Sequence, residues 1–196
     1  MLPQSHIIIA TKLHRSIKEK FYLNLDMKNL IYGSIKPDIP LHFKGLKHFK
    51  PQSYEYITDE IYRLGKLSLC NNTEQIKLLS KQIGIVTHYI ADYFCVPHND
   101  RATYKNNFLN HLAYESNLHK LYKTYNNKID VPKSYFNIEN TTSHPIKSLV
   151  DTLHGTYSLK NESLKNDLES SIEAVVIVGL YIVYHNIINC TYDIAA

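Results

Sequence analysis

The sequence predicts a single all-α domain, a compact multi-helix bundle spanning residues 1–196. Three observations carry that reading: apolar residues recur once per helical turn through most of the chain, strand-like alternation is nearly absent, and no repeat, charge block or low-complexity tail marks a boundary. A length of 196 residues allows a real core, and 44% apolar against 20% charged residues excludes a disordered or fibrous chain.

The elements follow in order. Residues 6–23 place Ile9, Leu13, Ile17 and Phe21 on one face, with Ser5 as the expected N-cap. Residues 53–69 open at Ser53 and carry Ile57, Ile61, Leu64 and then Leu67 or Ser68. A long helix starts at Thr73 and runs through Ile76, Leu79, Ile83, Val86, Ile90 and Phe94, with Pro97 as its stop. Residues 107–125 present Phe108, Leu112, Leu118, Leu121, Tyr122 and Tyr125. A further helix begins near Ser143-His144-Pro145, because proline is tolerated in a first turn, and the last runs from about Ser163 to Asn189. The stretches 35–52, 96–105 and 128–142 read as loops.

Composition narrows the function classes. A net charge of +4 is too weak to argue for a nucleic-acid partner, so nucleic acid is disfavoured. Cys70, Cys95 and Cys190 are odd in number and far apart, which indicates neither a disulfide framework nor a thiolate zinc knot. The first ten residues lack the basic start of a signal peptide. Residues 174–183 reach only half of the ~20 apolar residues that a spanning helix needs. The expectation is a cytoplasmic protein with no membrane-spanning segment and a central core helix at its C-terminal end.

The informative feature is where the acids and imidazoles fall. From Gln82 through Asp100 there is no lysine or arginine, yet Asp92 lies inside the apolar run that begins at Ile83. A buried carboxylate without a cation costs several kcal/mol, so it must neutralise, find a distant base or bind a metal. His88 and Asp92 are four apart and project from one helix face; His111 and Glu115 repeat the spacing on the next helix, in register with Leu118 and Tyr122. His98 follows Pro97 between them. Either pair alone is weak evidence, being more often an exposed polar pair or a capped core histidine than a metal site. Two pairs, an intervening histidine and no basic partner favour a metal site of nitrogen and oxygen donors, which suits zinc. A di-iron or di-manganese carboxylate bundle would want Glu-x-x-His pairs, which this segment lacks. His14, His42, His119, His144, His154 and His185 carry no such signal, and Cys95 reads as a small buried apolar residue.

These residues resemble the bacterial zinc-dependent phospholipases C, a family that includes phosphatidylcholine-hydrolysing enzymes and the clostridial alpha-toxins. The family's order of His, Asp, His, His and Glu is met by His88, Asp92, His98, His111 and Glu115. Ser5-His6-Ile7-Ile8-Ile9-Ala10 is similar to the family's N-terminal helix. Gly33-Ser34-Ile35-Lys36-Pro37-Asp38 resembles the segment that supplies an aspartate ligand, with His48 better spaced than His42 as its histidine partner.

The resemblance implies the helical fold shared with P1-type nucleases and a centre of two to three zinc ions. Asp38, His48, His88 and Asp92 would hold one ion, and His98, His111 and Glu115 a second. His6 and a bridging Asp92 would share a third with the chain terminus, here Met1. Asp38 would also orient or deprotonate the attacking water. The implied activity is hydrolysis of a phospholipid or related phosphodiester by a metal-activated water. A single-strand nuclease of S1/P1 type and a non-catalytic metal-binding relative are the alternatives. Two departures stand out: there is no tryptophan to serve as the family's usual N-terminal residue, and Ile39 follows Asp38 where choline-specific enzymes place an aromatic.

Overall fold

The most apolar helix is the one around which the others pack. The computed structural model describes residues 1–39, 46–68, 72–99, 107–136 and 144–195, the last five by backbone alone. Within them the helices are α1 (Pro3–Phe21), α2 (Met27–Ile35), α3 (Lys50–Gly65), α4 (Thr73–Tyr93), α5 (Val96–Asn99), α6 (Phe108–Thr124), α7 (Pro145–Leu159) and α8 (Leu164–Ala195). Short 3-10 turns cover Lys36–Asp38 and Lys133–Tyr135, and no strand occurs among the described residues. The expected all-α fold is the observed one.

α8 packs against α1, α3, α4, α6 and α7, and its residues from Ala174 to Val183 are almost wholly enclosed. Its apolar stretch is longer than the sequence reading takes it to be. Leu164–Cys190 is long and apolar enough to cross a membrane by length and composition, but the bundle buries 72% of its most apolar window. That burial is what a central core helix requires.

Two helix starts differ from expectation for one reason, proline in the first turn. Pro3 begins α1 with Leu2 as the N-cap residue, so Ser5 is not the cap; it lies inside the helix, buried, with its hydroxyl 3.1 Å from His119 Nδ1. Pro51 likewise lets α3 begin at Lys50, and the Ser53 hydroxyl turns inward to meet the Tyr93 hydroxyl at 2.8 Å. A proline at this position has no N–H to leave unsatisfied and its φ is already helical, so it outcompetes a serine cap further on. The earlier start puts His6 on the buried face of α1 with Ile9, Leu13 and Ile17.

α4 is capped by Asn72, whose side chain accepts from Glu74 N–H at 2.9 Å, and every residue from Ile83 to Tyr93 is buried. Pro97 does not simply end this helix. The chain breaks after Tyr93 and Pro97 lies in the single turn of α5, which carries His98. α2 has no counterpart among the helices expected from periodicity. Its nine residues are too few to show a repeat, and it depends on Asp26, which caps Asn29 N–H at 2.8 Å, and on docking against α4.

That docking is close. A Cβ added at Gly33 would stand 2.1 Å from Lys81 O, and one added at Gly84 would stand 2.3 Å from Leu30 O and 2.7 Å from Ser34 N. The two helices therefore touch backbone to backbone, which glycine alone permits. The contact sits one turn before His88.

Candidate metal centre

The eight residues expected from the sequence converge at one end of the bundle. His6 comes from α1, Asp38 from the end of the 3-10 turn after α2, and His48 from just before α3. His88 and Asp92 lie in the last turns of α4, His98 in α5, and His111 and Glu115 in α6. Their donor atoms fall into three groups, each within 4.8 Å: first Asp38, His48 and His88; second His98, His111 and Glu115; third His6, His88 and Asp92. His42 lies outside the described residues.

Asp92 is the hub. It is fully buried, and its Oδ2 lies 2.7 Å from His48 Nδ1 and 3.3 Å from His88 Nε2. Oδ1 lies 2.7 Å from the Met1 α-amine, 3.4 Å from His6 Nε2 and 3.8 Å from His98 Nε2. Both oxygens are thus shared between groups. Burial pushes the carboxyl up, but His98, the Met1 ammonium, His88 and His6 together hold it well below the usual carboxylate range. No lysine or arginine pairs with it among the described residues, as the sequence suggests.

His88 shows how a ligand is aimed. Its Nδ1 lies 2.8 Å from the Ser34 carbonyl oxygen, which can only accept, so Nδ1 carries a proton and Nε2 is the nitrogen aimed at the centre. That Nε2 faces His48 Nδ1 at 2.9 Å and Asp38 Oδ1 at 3.7 Å. The ring of His6 stacks on His88 with centroids 3.9 Å apart, and burial together with His88 lowers the His6 pKa to about 3. His6 therefore stays neutral and able to donate a lone pair. The Ser34 carbonyl is a partner the sequence reading misses. The available signal is Gly33-Ser34 and Gly84, small residues that let two backbones meet one turn before a ligand.

In the second group, Glu115 Oε1 lies 2.7 Å from His111 Nε2 and 3.1 Å from His98 Nε2. Burial opposes the charge on Glu115, but hydrogen bonds from His111 and His98 and the nearby Met1 ammonium keep its carboxyl far below the ordinary range. The Met1 amine bridges toward this group too, 2.8 Å from His98 Nε2 and 3.2 Å from Glu115 Oε1. Burial disfavours that ammonium, yet Asp92 and Glu115 outweigh it and raise its pKa to about 11. The Met1 side chain is itself buried, with Sδ 3.3 Å from the Tyr122 hydroxyl.

The donor set fits zinc on two observations. Asp38 Oδ2 is buried without a hydrogen-bond partner, and such an orphaned atom costs about 1–3 kcal/mol unless something else satisfies it. Five imidazoles and three carboxylates, with at least one ring aimed by a backbone carbonyl, are the nitrogen and oxygen ligands zinc takes. The residues that could hold the ions are the eight named, with the Met1 amine at the third group. Two of the other histidines behave as the sequence suggests: His14 meets the Leu25 carbonyl at 2.9 Å and His154 the Tyr93 carbonyl at 3.1 Å. Cys95 is buried behind the centre.

A helical bundle with these donors gathered at one end defines a candidate polynuclear metalloprotein. The chain belongs to the zinc dependent phospholipase C family, whose sequence profile matches residues 5–164, a span that contains all eight donors. No curated protein and no solved structure matches it.

Ions that bind only the native protein stabilise it by mass action. A chelator should therefore lower the melting temperature by about 5–10 °C for each site held at about 100 times its dissociation constant, which is ~2.7 kcal/mol spread over a chain of this size. Circular dichroism or calorimetry reads the shift. An unchanged melting temperature would mean the acids are balanced by the protein alone.

Proposed function

We propose that the protein is a zinc-dependent phosphodiester hydrolase of phospholipase C type, acting on a phospholipid with Asp38 at the water and the other donors around the phosphate. The observation that carries this reading is the convergence on Asp92 of histidines from four separate segments, with Asp38 Oδ2 left buried without a hydrogen-bond partner. Bound zinc supplies polarisation of the phosphoryl oxygens and acidification of water. The chain's own residues supply the geometry. Asp38 is the most open of the three carboxylates, with its side chain 22% exposed against 0% for Asp92 and 9% for Glu115, so it is the acid that incoming water meets first. An Asp38 oxygen can accept a proton from that water as its oxygen attacks phosphorus. The bond from phosphorus to the diacylglycerol oxygen breaks, and the leaving oxygen is protonated. The products are a phosphorylated headgroup and a diacylglycerol.

A lipid suits the surroundings better than a polynucleotide does. The helix stripe that holds Leu118, Glu115 and His111 continues outward to Phe108, which is 71% exposed, and Leu109 beside it is 77% exposed. Acyl chains leaving the centre would find an apolar rim there, whereas a phosphate backbone would want cations and stacking platforms. Phe108→Ser with Leu109→Ser should lower turnover of vesicle phospholipid at least about tenfold, while a water-soluble phosphodiester is cleaved at the native rate; a fall of a few kcal/mol in apolar contact predicts that split.

The deciding experiment counts zinc in purified protein with an unextended N-terminus, then assays a lipid panel, a chromogenic phosphodiester and single-stranded DNA side by side. Lipid cleavage that depends on zinc supports the proposal. DNA cleavage alone replaces it with the nuclease reading, full zinc occupancy without turnover makes the protein a metal-binding relative, and fewer than about two ions per chain removes both hydrolase readings.

A further inference from the structure

A further carboxylate, besides Asp92 and Glu115, is buried near the centre without being one of its donors. Asp167, in the first turn of α8, has 0% exposure, and no lysine or arginine pairs with it among the described residues. An unpaired buried acid is costly, so what satisfies it matters. Oδ2 accepts from Val96 N–H at 2.8 Å and from the Tyr114 hydroxyl at 3.0 Å; Oδ1 accepts from the Tyr157 hydroxyl at 2.8 Å. An ionised carboxylate is acceptor-only, with room for four such donors; an amide of the same shape would turn an N–H₂ toward at least one of them.

The positions of these donors are the point. Val96 opens α5 and stands two residues before His98. Tyr114 is on α6, three residues after His111 and directly before Glu115. One acid on α8 thus ties the α4–α5 corner to α6 at the level where His98 Nε2 meets Glu115 Oε1 at 3.1 Å. Tyr157 comes from α7, which carries none of the eight donors. Residue 167 also lies beyond the span matched by the family profile.

We infer that Asp167 is a positioning residue for the second donor group: it sets the spacing between the His98 corner and the His111–Glu115 helix, and so the metal affinity of that group in particular. The inference rests on the zinc reading above; groups hydrogen-bonded directly to a ligand change metal affinity by about 10–100-fold when removed, and Asp167, which acts through the chain neighbours of His98 and Glu115, belongs at the lower end of that range.

The test uses the full chain with its native N-terminus and titrates zinc against a chromophoric chelator, alongside thermal melts with and without zinc. Asp167→Asn should release one ion per chain with an affinity weakened at least about tenfold, the remaining ions being held as in the wild type. Tyr114→Phe, a milder change that keeps the packing, should weaken the same ion several-fold, and it carries the test alone if Asp167→Asn does not fold. Tyr157→Phe should lower the melting temperature but leave every zinc affinity unchanged, because it removes a hydrogen bond on the side away from the ligands. Wild-type affinities in Asp167→Asn and Tyr114→Phe, whatever their melting temperatures, would make Asp167 a purely structural acid and overturn the inference. Equal weakening of all ions would overturn it as well. A wild-type chain that binds no zinc would instead remove the metal reading on which the inference depends.

Discussion

Asp92→Asn should disrupt the centre and abolish activity, with zinc content falling by at least one ion per chain and turnover of any phosphodiester substrate falling by more than about 100-fold. The size of the effect follows from sharing. Both carboxylate oxygens are within 3.4 Å of groups that belong to different donor sets, so an amide at this position loses negative charge at each set at once. Removing even an outer partner of a ligand costs about 10–100-fold, and a direct, shared ligand costs more. Stability should fall in parallel. In the ion-free protein the Met1 ammonium would face a neutral amide and keep Glu115 as its anion, so the loss should fall below the ~3–5 kcal/mol of a buried charge left with no partner. Metal analysis and a thermal melt on the same preparation check both parts. Native zinc content in this variant would remove Asp92 from the ligand set.

The second large effect is expected from a methyl group placed well away from any ion. Gly84→Ala puts a Cβ 2.3 Å from Leu30 O and 2.7 Å from Ser34 N, both backbone atoms that cannot rotate aside. α2 must then move off α4. Overpacking of this kind costs about 1–3 kcal/mol, and contact with backbone belongs at the upper end. Moving α2 also carries away the Ser34 carbonyl that fixes the His88 ring, and shifts Asp38, which follows on the same segment. The variant should therefore show a lowered melting temperature together with weakened zinc binding in the group of Asp38, His48 and His88. Tight binding in that group despite the lowered melting temperature would separate the helix contact from the centre.

The two predictions differ in how visible their causes are in the sequence. Asp92 announces itself, since an acid amid Ile83–Phe94 with no base for many residues on either side has few physical solutions. Gly84 does not, because a glycine in an apolar helix reads as a weak position until its neighbour is known. The helix starts teach the same lesson at smaller scale. Ser5 and Ser53 are good caps by residue type, yet Pro3 and Pro51 begin their helices earlier and both serines end up as buried hydrogen-bonding groups.

By itself the sequence determined the helical class, the buried stripe of the long helix and the pairing of His88 with Asp92 and of His111 with Glu115. These follow from a 3.6-residue period, which places residues four apart on one face whatever the rest of the chain does. Family resemblance, not local pattern, put His48 and Met1 with Asp92; the fold brings them there across 44 and 91 residues, and it alone shows that Asp167 meets Val96 across 71. Such meetings depend on how helices dock, and docking is set by the summed packing of whole faces, down to two glycines where backbones touch. A local pattern carries no record of that sum until the chain has folded.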